Sequence, residues 1–267
     1  MQVGISTASL FGKYSVEDAP ARIAAFGASI CEVFLNTFSE YRDEFIGLLS
    51  ERIHKHNLHV YSIHPMGTQF EPQLFSLHIR QREDAFRIYE QVLQAGKALG
   101  ASCYVMHGPS TMYGAVRNME LERIGPIVQT LCEMAKEYGL VLAWENVSWC
   151  LFHEPSFGLR LLDATKADDL RFTLDIKQAV RSGYTPLEYI EAVGERLINL
   201  HICDYIECSN CVQPILPGQG KCNLGELYCA LLNKGYKGPA ILEVYSDLYE
   251  DEDELEKSFA LVRESLK

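Results

Sequence analysis

The chain has 267 residues, of which 48% are hydrophobic and 22% charged, and its formal net charge is −12. This is ordinary globular composition, long enough to bury one large core. No apolar run reaches the ~18 residues of a membrane span, and the acidic balance disfavours nucleic acid and anionic membranes as partners.

Short apolar runs, rich in β-branched and aromatic residues and bounded by Gly, Pro, Asn or Ser, are typical of strands. In chain order they are VGIST (Val3 to Thr7), SICEVFL (Ser29 to Leu35), LHVYSIH (Leu58 to His64), SCYVMH (Ser102 to His107), VLAWE, RFTLD, INLH and AILE.

Amphipathic runs between these strands predict helices, because apolar residues recur there at helical spacing. Ser15 is the expected N-cap of the first, Pro186 the expected start of another, and Gly27, Gly100, Gly139 and Gly235 the expected stops. The runs are Ser15 to Phe26, Tyr41 to His56, Ile79 to Leu99, Met119 to Tyr138, Glu226 to Asn233 and the acidic tail Tyr249 to Lys267.

Repeated strand–helix alternation predicts a parallel sheet, and eight such units predict a closed barrel of about 250 residues. We therefore expect an α/β protein with a single (β/α)8 TIM barrel domain over residues 1–267. The longest connection without evident secondary structure runs from Cys203 to Asn223, and loops of that length are usually functional.

Four residues that can bind metal ions stand at the ends of the last four strands: Glu145, Asp175, His201 and Glu243. The carboxyl ends of barrel strands form the active-site mouth, so these side chains should converge there. Strand alternation agrees, because it turns them inward together with small or polar neighbours while the large apolar residues face the helices.

Three carboxylates brought together without a cation would repel one another and lose solvation, at a cost of several kcal/mol. A bound divalent ion removes that cost. A ligand set of mostly oxygen atoms with one imidazole favours Mn²⁺, Mg²⁺ or Co²⁺, with Zn²⁺ as a further option. The sequence therefore predicts a site for one divalent metal ion.

Several motifs resemble the sugar phosphate isomerase/epimerase family, within the xylose isomerase-like TIM barrel superfamily. Their order and spacing agree with the family across the whole chain. They are WEN at Trp144 to Asn146, LDIKQA at Leu174 to Ala179, NLHICD at Asn199 to Asp204, PGQG at Pro217 to Gly220 and GYKGPAILEVY at Gly235 to Tyr245.

The resemblance implies that Glu145, Asp175, His201 and Glu243 are metal ligands, and that Glu145 and Glu243 also move a proton on and off carbon. It implies a metal-dependent isomerase or epimerase of a small hydroxy-carbonyl compound, such as a sugar, acting through an enediolate. A Lewis acid on the carbonyl and a carboxylate base beside the C–H bond suit that chemistry. Similar enzymes are often homo-oligomers.

Two departures from the ketose epimerases of this family predict different substrate recognition. Many of those enzymes carry a histidine where this chain has Gln178, and an arginine after the strand-seven histidine. The segment from Cys203 to Pro214 contains no arginine. The PGQG segment we interpret as a structural turn.

The candidates for substrate binding are His64 and His107, which end strands three and four, and Gln178. A buried histidine bonded to local polar groups is the alternative for each histidine. Lys177 also follows Asp175 and could reach substrate, but it is interpreted as a surface lysine. Three aromatic residues after strands one and five could line a sugar's carbon face, although core packing is the expected role of at least one: Phe11, Tyr14 and Trp149.

Nine cysteines, an odd and scattered set, together with an N-terminus that lacks a signal sequence, indicate reduced thiols in a cytoplasmic protein. The spacing of Cys203, Cys208, Cys211 and Cys222 is not that of a standard zinc knuckle. Free thiols are the simpler interpretation, with a zinc ion in that loop as the alternative.

Three other functions are weighed against the isomerase. A lyase resembling dehydroshikimate dehydratase would use the same proton abstraction followed by loss of a hydroxyl. A DNA-repair enzyme resembling endonuclease IV needs further histidines and binds phosphates, which Gln178 and the acidic charge oppose. A non-catalytic sugar-binding barrel would have no need of all four ligand-type residues.

Overall fold

Eight parallel strands close into a barrel, and a separate antiparallel pair lies beside it. The computed structural model describes residues 1–111, 121–209 and 211–267. The strands are β1 (Val3–Ser6), β2 (Ile30–Leu35), β3 (His59–Pro65), β4 (Cys103–Met106), β5 (Val141–Glu145), β6 (Arg171–Asp175), β7 (Leu197–Ile202), β8 (Asp204–Glu207), β9 (Val212–Ile215) and β10 (Ala240–Leu242). Around the barrel they follow the order β1-β10-β7-β6-β5-β4-β3-β2, which confirms the predicted fold class.

The helices surround this barrel. They are α1 (Ala19–Ala25), α2 (Asp43–Lys55), α3 (Glu71–Leu74), α4 (Ile79–Leu99), α5 (Leu121–Glu137), α6 (Pro155–Ala164), α7 (Ile176–Arg181), α8 (Pro186–Val193), α9 (Leu224–Asn233) and α10 (Glu252–Ser265). The first two residues of the helix predicted from Met119 lie outside the described residues. Within the described ranges, no helix combines the length and the apolar character needed to cross a membrane.

The first helix begins later than predicted. Ser15 does not cap it, because α1 begins at Ala19, after the N-cap residue Asp18. The Ser15 hydroxyl instead donates a hydrogen bond to the Asp18 carboxylate at 3.0 Å. Pro20 sits in the first turn of α1, where its missing N–H costs nothing. Proline thus marks the start more accurately than serine does.

The long connection after β7 has secondary structure of its own, so the prediction of an irregular loop was wrong. Strands β8 and β9 pair as an antiparallel hairpin, with Asp204 opposite Ile215. The Asp204 carboxylate accepts hydrogen bonds from the backbone N–H groups of Gly218, Gly220 and Cys222, at 3.0, 2.9 and 2.8 Å. One buried carboxylate therefore fastens the PGQG turn, as its structural interpretation requires.

The register of the barrel strands brings the strand ends to one level. Asp175 at the end of β6 pairs with His201 of β7. His201 also pairs with Ile241 of β10, and the Glu243 backbone N–H donates to the Ile202 carbonyl at 3.0 Å. The last residues of three neighbouring strands therefore meet at the same mouth of the barrel.

Replacing Gly4 of β1 by alanine should destabilise the barrel. An added Cβ would lie 2.7 Å from the Ile30 carbonyl oxygen and 2.9 Å from Ile241 Cδ1, both in the barrel wall. Such overpacking costs about 1–3 kcal/mol. We expect the free energy of unfolding, measured in urea, to fall by that amount in Gly4→Ala.

The matched control is Gly47→Ala, in the middle of α2. Gly47 is exposed, and a Cβ there would meet no atom within 4 Å. Alanine favours helix by about 1 kcal/mol over glycine, so this variant should be as stable as the wild type or more so. Equal stabilities for Gly4→Ala and the wild type would contradict the steric account.

Candidate metal centre

The four residues predicted to bind a metal ion converge at the mouth of the barrel. Glu145 ends β5, Asp175 ends β6, His201 lies near the end of β7, and Glu243 directly follows β10. All four are buried. One ligand atom from each lies within 4.8 Å of the others. The structure therefore has the geometric grouping that strand alternation predicts.

One nitrogen of the His201 ring faces the three carboxylates. His201 Nδ1 lies 3.1 Å from Glu145 Oε1, 3.2 Å from Glu243 Oε2 and 3.9 Å from Asp175 Oδ2. Burial alone would lower the pKa of this imidazole, but the neighbouring carboxylates, Glu243 first, raise the pKa well above its usual value. Without another cation, the cluster thus holds a proton on the ring.

The other nitrogen of the His201 ring faces a carboxylate that the sequence analysis missed. His201 Nε2 lies 2.9 Å from Glu32 Oε2, and the Ser62 hydroxyl donates to the same oxygen at 2.7 Å. Glu32 is fully buried in β2. A carboxylate at Nε2 favours a proton there and leaves the Nδ1 lone pair for a metal ion, as in many metal sites. The sequence does contain a sign of this role, because Glu32 is a charged residue in the middle of an otherwise apolar strand.

Burial alone would raise the pKa of the Glu32 carboxyl. The His201 and His64 imidazoles outweigh this effect and lower the pKa to about 2. Glu32 is therefore ionised at neutral pH and accepts hydrogen bonds from its neighbours. It adds a fourth negative charge to the mouth of the barrel.

His64 and His107 lie beside the four-residue cluster, where their positions at the ends of β3 and β4 predict them. Their Nε2 atoms are 2.9 Å apart, and His107 Nε2 is 3.0 Å from Glu145 Oε2. His64 Nδ1 lies 3.4 Å from Glu32 Oε1. With Glu145, the two histidines form a second group close enough to hold a cation. Both rings therefore belong to the same polar centre.

Gln178 also reaches the site, but its side-chain oxygen is already engaged. The Gln178 Oε1 atom accepts hydrogen bonds from the Ser148 N–H at 3.1 Å and the Ser148 hydroxyl at 2.8 Å. Its backbone N–H donates to Asp175 Oδ1 at 2.8 Å. Gln178 thus ties the loop after β5 to α7, while its side chain lines the cavity.

Lys177 is not a surface lysine, so that interpretation was wrong. Its side chain is buried, and Nζ donates to Glu243 Oε2 at 2.8 Å and to the carboxylate of Asp175. Asp175 is the N-cap of α7. A residue two positions later can therefore fold its side chain back onto the strand-end carboxylates. Helical periodicity carries no sign of this, because the partner Glu243 is distant in sequence.

A cavity of about 260 Å³ opens above the cluster. Its wall includes Phe11 and Trp149, as expected for an apolar face, together with Phe34, Met66 and Tyr245. Tyr14 packs against the hydrophobic core instead, as expected for at least one of the three aromatic residues, and its hydroxyl donates to the Glu252 carboxylate of α10. The site thus combines a charged floor with largely aromatic walls.

The four cysteines of the segment after β7 differ in burial. Cys203 is buried, Cys222 is half-buried, and Cys208 and Cys211 are exposed. None of the three metal-capable groups found among the described residues contains a cysteine. The free thiols and the alternative zinc ion in this segment therefore both stay predictions.

The chain is similar to several sugar epimerases and to one dehydratase. Fructoselysine 3-epimerase of Shigella flexneri is 23% identical over 203 residues, which cover 74% of this chain and 71% of that protein. D-psicose 3-epimerase of Clostridium cellulolyticum H10, crystallised with D-tagatose, superposes with a TM-score of 0.81 and 18% identity over all of both chains. A probable 3-DHS dehydratase of Bacillus anthracis superposes with a TM-score of 0.79 and 14% identity, over 98% of this chain and 99% of that one.

The structural matches show a shared fold, since their sequence identities are low. A family model described as a xylose isomerase-like TIM barrel matches residues 20–265. That match spans nearly the whole closed barrel, including the strand ends that carry Glu145, Asp175, His201 and Glu243. The chain therefore belongs to the xylose isomerase-like TIM barrel family.

Proposed function

We propose that this protein is a divalent-metal-dependent isomerase or epimerase of a small hydroxy-carbonyl compound, a sugar or sugar derivative. The convergence of Glu145, Asp175, His201 and Glu243 under an open cavity is the observation that carries the proposal. The sugar epimerases with the same fold support the substrate class.

The residues present fit a divalent metal ion. One ligand atom from each of the three carboxylates and from the imidazole lies within 4.8 Å of the others, and all four groups are buried. This oxygen-rich set suits Mn²⁺, Mg²⁺ or Co²⁺, and Zn²⁺ also accepts it. When bound, such an ion supplies a Lewis acid that polarises a substrate carbonyl.

Glu145 and Glu243 are placed to move the proton. They stand on β5 and after β10, with β6 and β7 between them in the barrel wall. Burial opposes ionisation of Glu145, but the His201 and His107 imidazoles lower the pKa of its carboxyl. Burial also opposes ionisation of Glu243, but the His201 imidazole and the Lys177 ammonium lower the pKa of its carboxyl well below the usual value. Both glutamates therefore carry negative charge at neutral pH. One carboxylate takes the proton from the carbon beside the carbonyl, which leaves an enediolate. The other, once it has taken up a proton from solvent, donates that proton to the opposite face.

A dehydratase is the second candidate, because the probable 3-DHS dehydratase has the same fold. It would use the same proton abstraction and then expel a hydroxyl group. Its product has a conjugated double bond that absorbs in the ultraviolet, whereas an epimer does not. Ultraviolet absorbance during turnover therefore separates the two reactions.

The proposed reaction should place solvent deuterium on substrate carbon. With Mn²⁺ in D2O, we expect at least one ketose, aldose or sugar derivative of a test panel to gain deuterium beside its carbonyl, as measured by NMR. Glu145→Gln and Glu243→Gln should slow this exchange roughly 10²- to 10⁴-fold, because each removes a proton-transfer group.

The matched control for the exchange assay is Glu44→Gln, which neutralises an exposed carboxylate in the first turn of α2. It should exchange at the wild-type rate. If the Mn²⁺-loaded wild type labels no compound of the panel, the proposed function loses its support.

Glu32 should control metal affinity through His201. Replacing Glu32 by Gln removes the charge that favours a proton on Nε2 and leaves the shape nearly unchanged. Loss of such a partner typically weakens metal binding about 10- to 100-fold. We expect that loss for Mn²⁺ in isothermal titration calorimetry, with Glu44→Gln again as the unaffected control. If Glu32→Gln binds Mn²⁺ as tightly as the wild type does, His201 does not need a carboxylate at Nε2 to bind the metal ion.

A further inference from the structure

A buried lysine occupies the part of the site that faces the expected metal position. Lys177 Nζ donates to Glu243 Oε2 at 2.8 Å and to Asp175 Oδ2. Its side chain is only 5% exposed, so water cannot replace these partners. The same oxygens face His201 Nδ1, at 3.2 Å for Glu243 Oε2 and 3.9 Å for Asp175 Oδ2.

The second oxygen of each carboxylate faces a different group. The other oxygen of Asp175, Oδ1, accepts the Gln178 N–H at 2.8 Å and so caps α7. The other oxygen of Glu243, Oε1, lies 3.6 Å from His64 Nδ1. A metal ion beside His201 Nδ1 would bind Asp175 Oδ2 and Glu243 Oε2. These are the same two oxygens that hold the Lys177 ammonium.

If the Lys177 ammonium leaves the two carboxylates, it can move only into the cavity. Its backbone is fixed in the first turn of α7, directly after the Asp175 cap. Lys177 lines the cavity, and its Nζ lies 5.7 Å from the centre of the Tyr245 ring. An ammonium displaced from the carboxylates would stay in the cavity, beside an aromatic face that attracts cations.

We propose that Lys177 competes with the metal ion for Asp175 Oδ2 and Glu243 Oε2, and that in the loaded site its ammonium binds a negatively charged oxygen of the ligand. The first half is independent of the reaction. The second half rests on the proposed function, in which negative charge develops on a substrate oxygen. Without the metal ion, the Lys177 ammonium neutralises the two carboxylates. With the metal ion bound, it forms an ion pair with the ligand.

The first half is tested by the affinity for Mn²⁺ alone. Lys177→Met removes both the competitor and its charge, so calorimetry should show Mn²⁺ binding about tenfold tighter than in the wild type. The metal-free variant should also melt at a lower temperature, because its carboxylates lose their counter-ion. Equal or weaker Mn²⁺ binding in Lys177→Met would overturn the competition.

Arg181→Met is the matched control for charge. Arg181 lies one turn later on α7, is exposed, and donates to the Tyr245 hydroxyl at 2.9 Å without touching the four ligands. Its removal takes away a positive charge at the same rim, and we expect unchanged Mn²⁺ affinity. If Arg181→Met binds Mn²⁺ as much more tightly as Lys177→Met does, the effect comes from long-range charge, and direct competition is overturned.

The second half is tested with two small ligands of the same shape and different charge. Glycolate is an anionic hydroxy-carbonyl compound, and glycolamide is its neutral counterpart. In Mn²⁺-saturated protein, Lys177→Met should weaken glycolate binding about tenfold and leave glycolamide binding unchanged. Equal losses for both ligands, or no loss for either, would overturn a ligand contact by Lys177.

These measurements separate the inference from the proposed function, since neither needs turnover. A merely structural lysine would lower the affinity for metal and ligand together, whereas the proposal requires changes of opposite sign. Lys177→Gln is expected to behave like Lys177→Met and keeps a hydrogen-bond donor. It preserves the test if the methionine variant yields little folded protein. If only the deuterium assay fails, the proposed reaction is contradicted, but the competition between Lys177 and the metal ion is not.

Discussion

The constraint on which this site depends is that four buried carboxylates must each have a positively charged partner. Glu32, Glu145, Asp175 and Glu243 lie together at the mouth of the barrel, all of them nearly inaccessible to water. Unpaired charges in such a place would each cost several kcal/mol. His201 lies within 4 Å of a carboxylate oxygen from all four. Its ring is therefore the centre around which the other groups of the site are arranged.

The barrel makes this concentration of charge possible because its strands are parallel and closed. Their carboxyl ends all lie at one mouth, so Glu145 and Glu243, which are distant in the chain, converge there although β6 and β7 lie between them in the wall. Below them the strands pack apolar residues, with Gly4 leaving room for Ile30 and Ile241. The rigid wall holds the carboxylates close despite their mutual repulsion.

The residues that we propose to recognise the ligand come from another part of the fold. Lys177 and Gln178 belong to the first turn of α7, and Trp149 to the loop after β5. Such segments can change without disturbing the strand ends that carry the ligand cluster. This division lets the walls of the cavity vary while the cluster at the strand ends stays in place.

Most of the fold could be predicted from local patterns, because strand and helix periodicities are properties of neighbouring residues. The predicted bounds of α4 and the start of α8 at Pro186 agree with the structure. The hairpin of β8 and β9 was missed because its strands are short, half-exposed and interrupted by Pro214. Ser15 was mistaken for a cap because it is a good N-cap type, whereas Pro20 determined where α1 begins.

The amino-acid sequence by itself determined the order of the strands and the grouping of Glu145, Asp175, His201 and Glu243, since these stand at the ends of recognisable strands. Only the tertiary structure decided the roles of Glu32 and Lys177. A charged side chain is buried or exposed according to the charges that meet it in space. His201, which meets Glu32, and Glu243, which meets Lys177, lie on strand ends far away in the chain, so no local pattern contains these contacts.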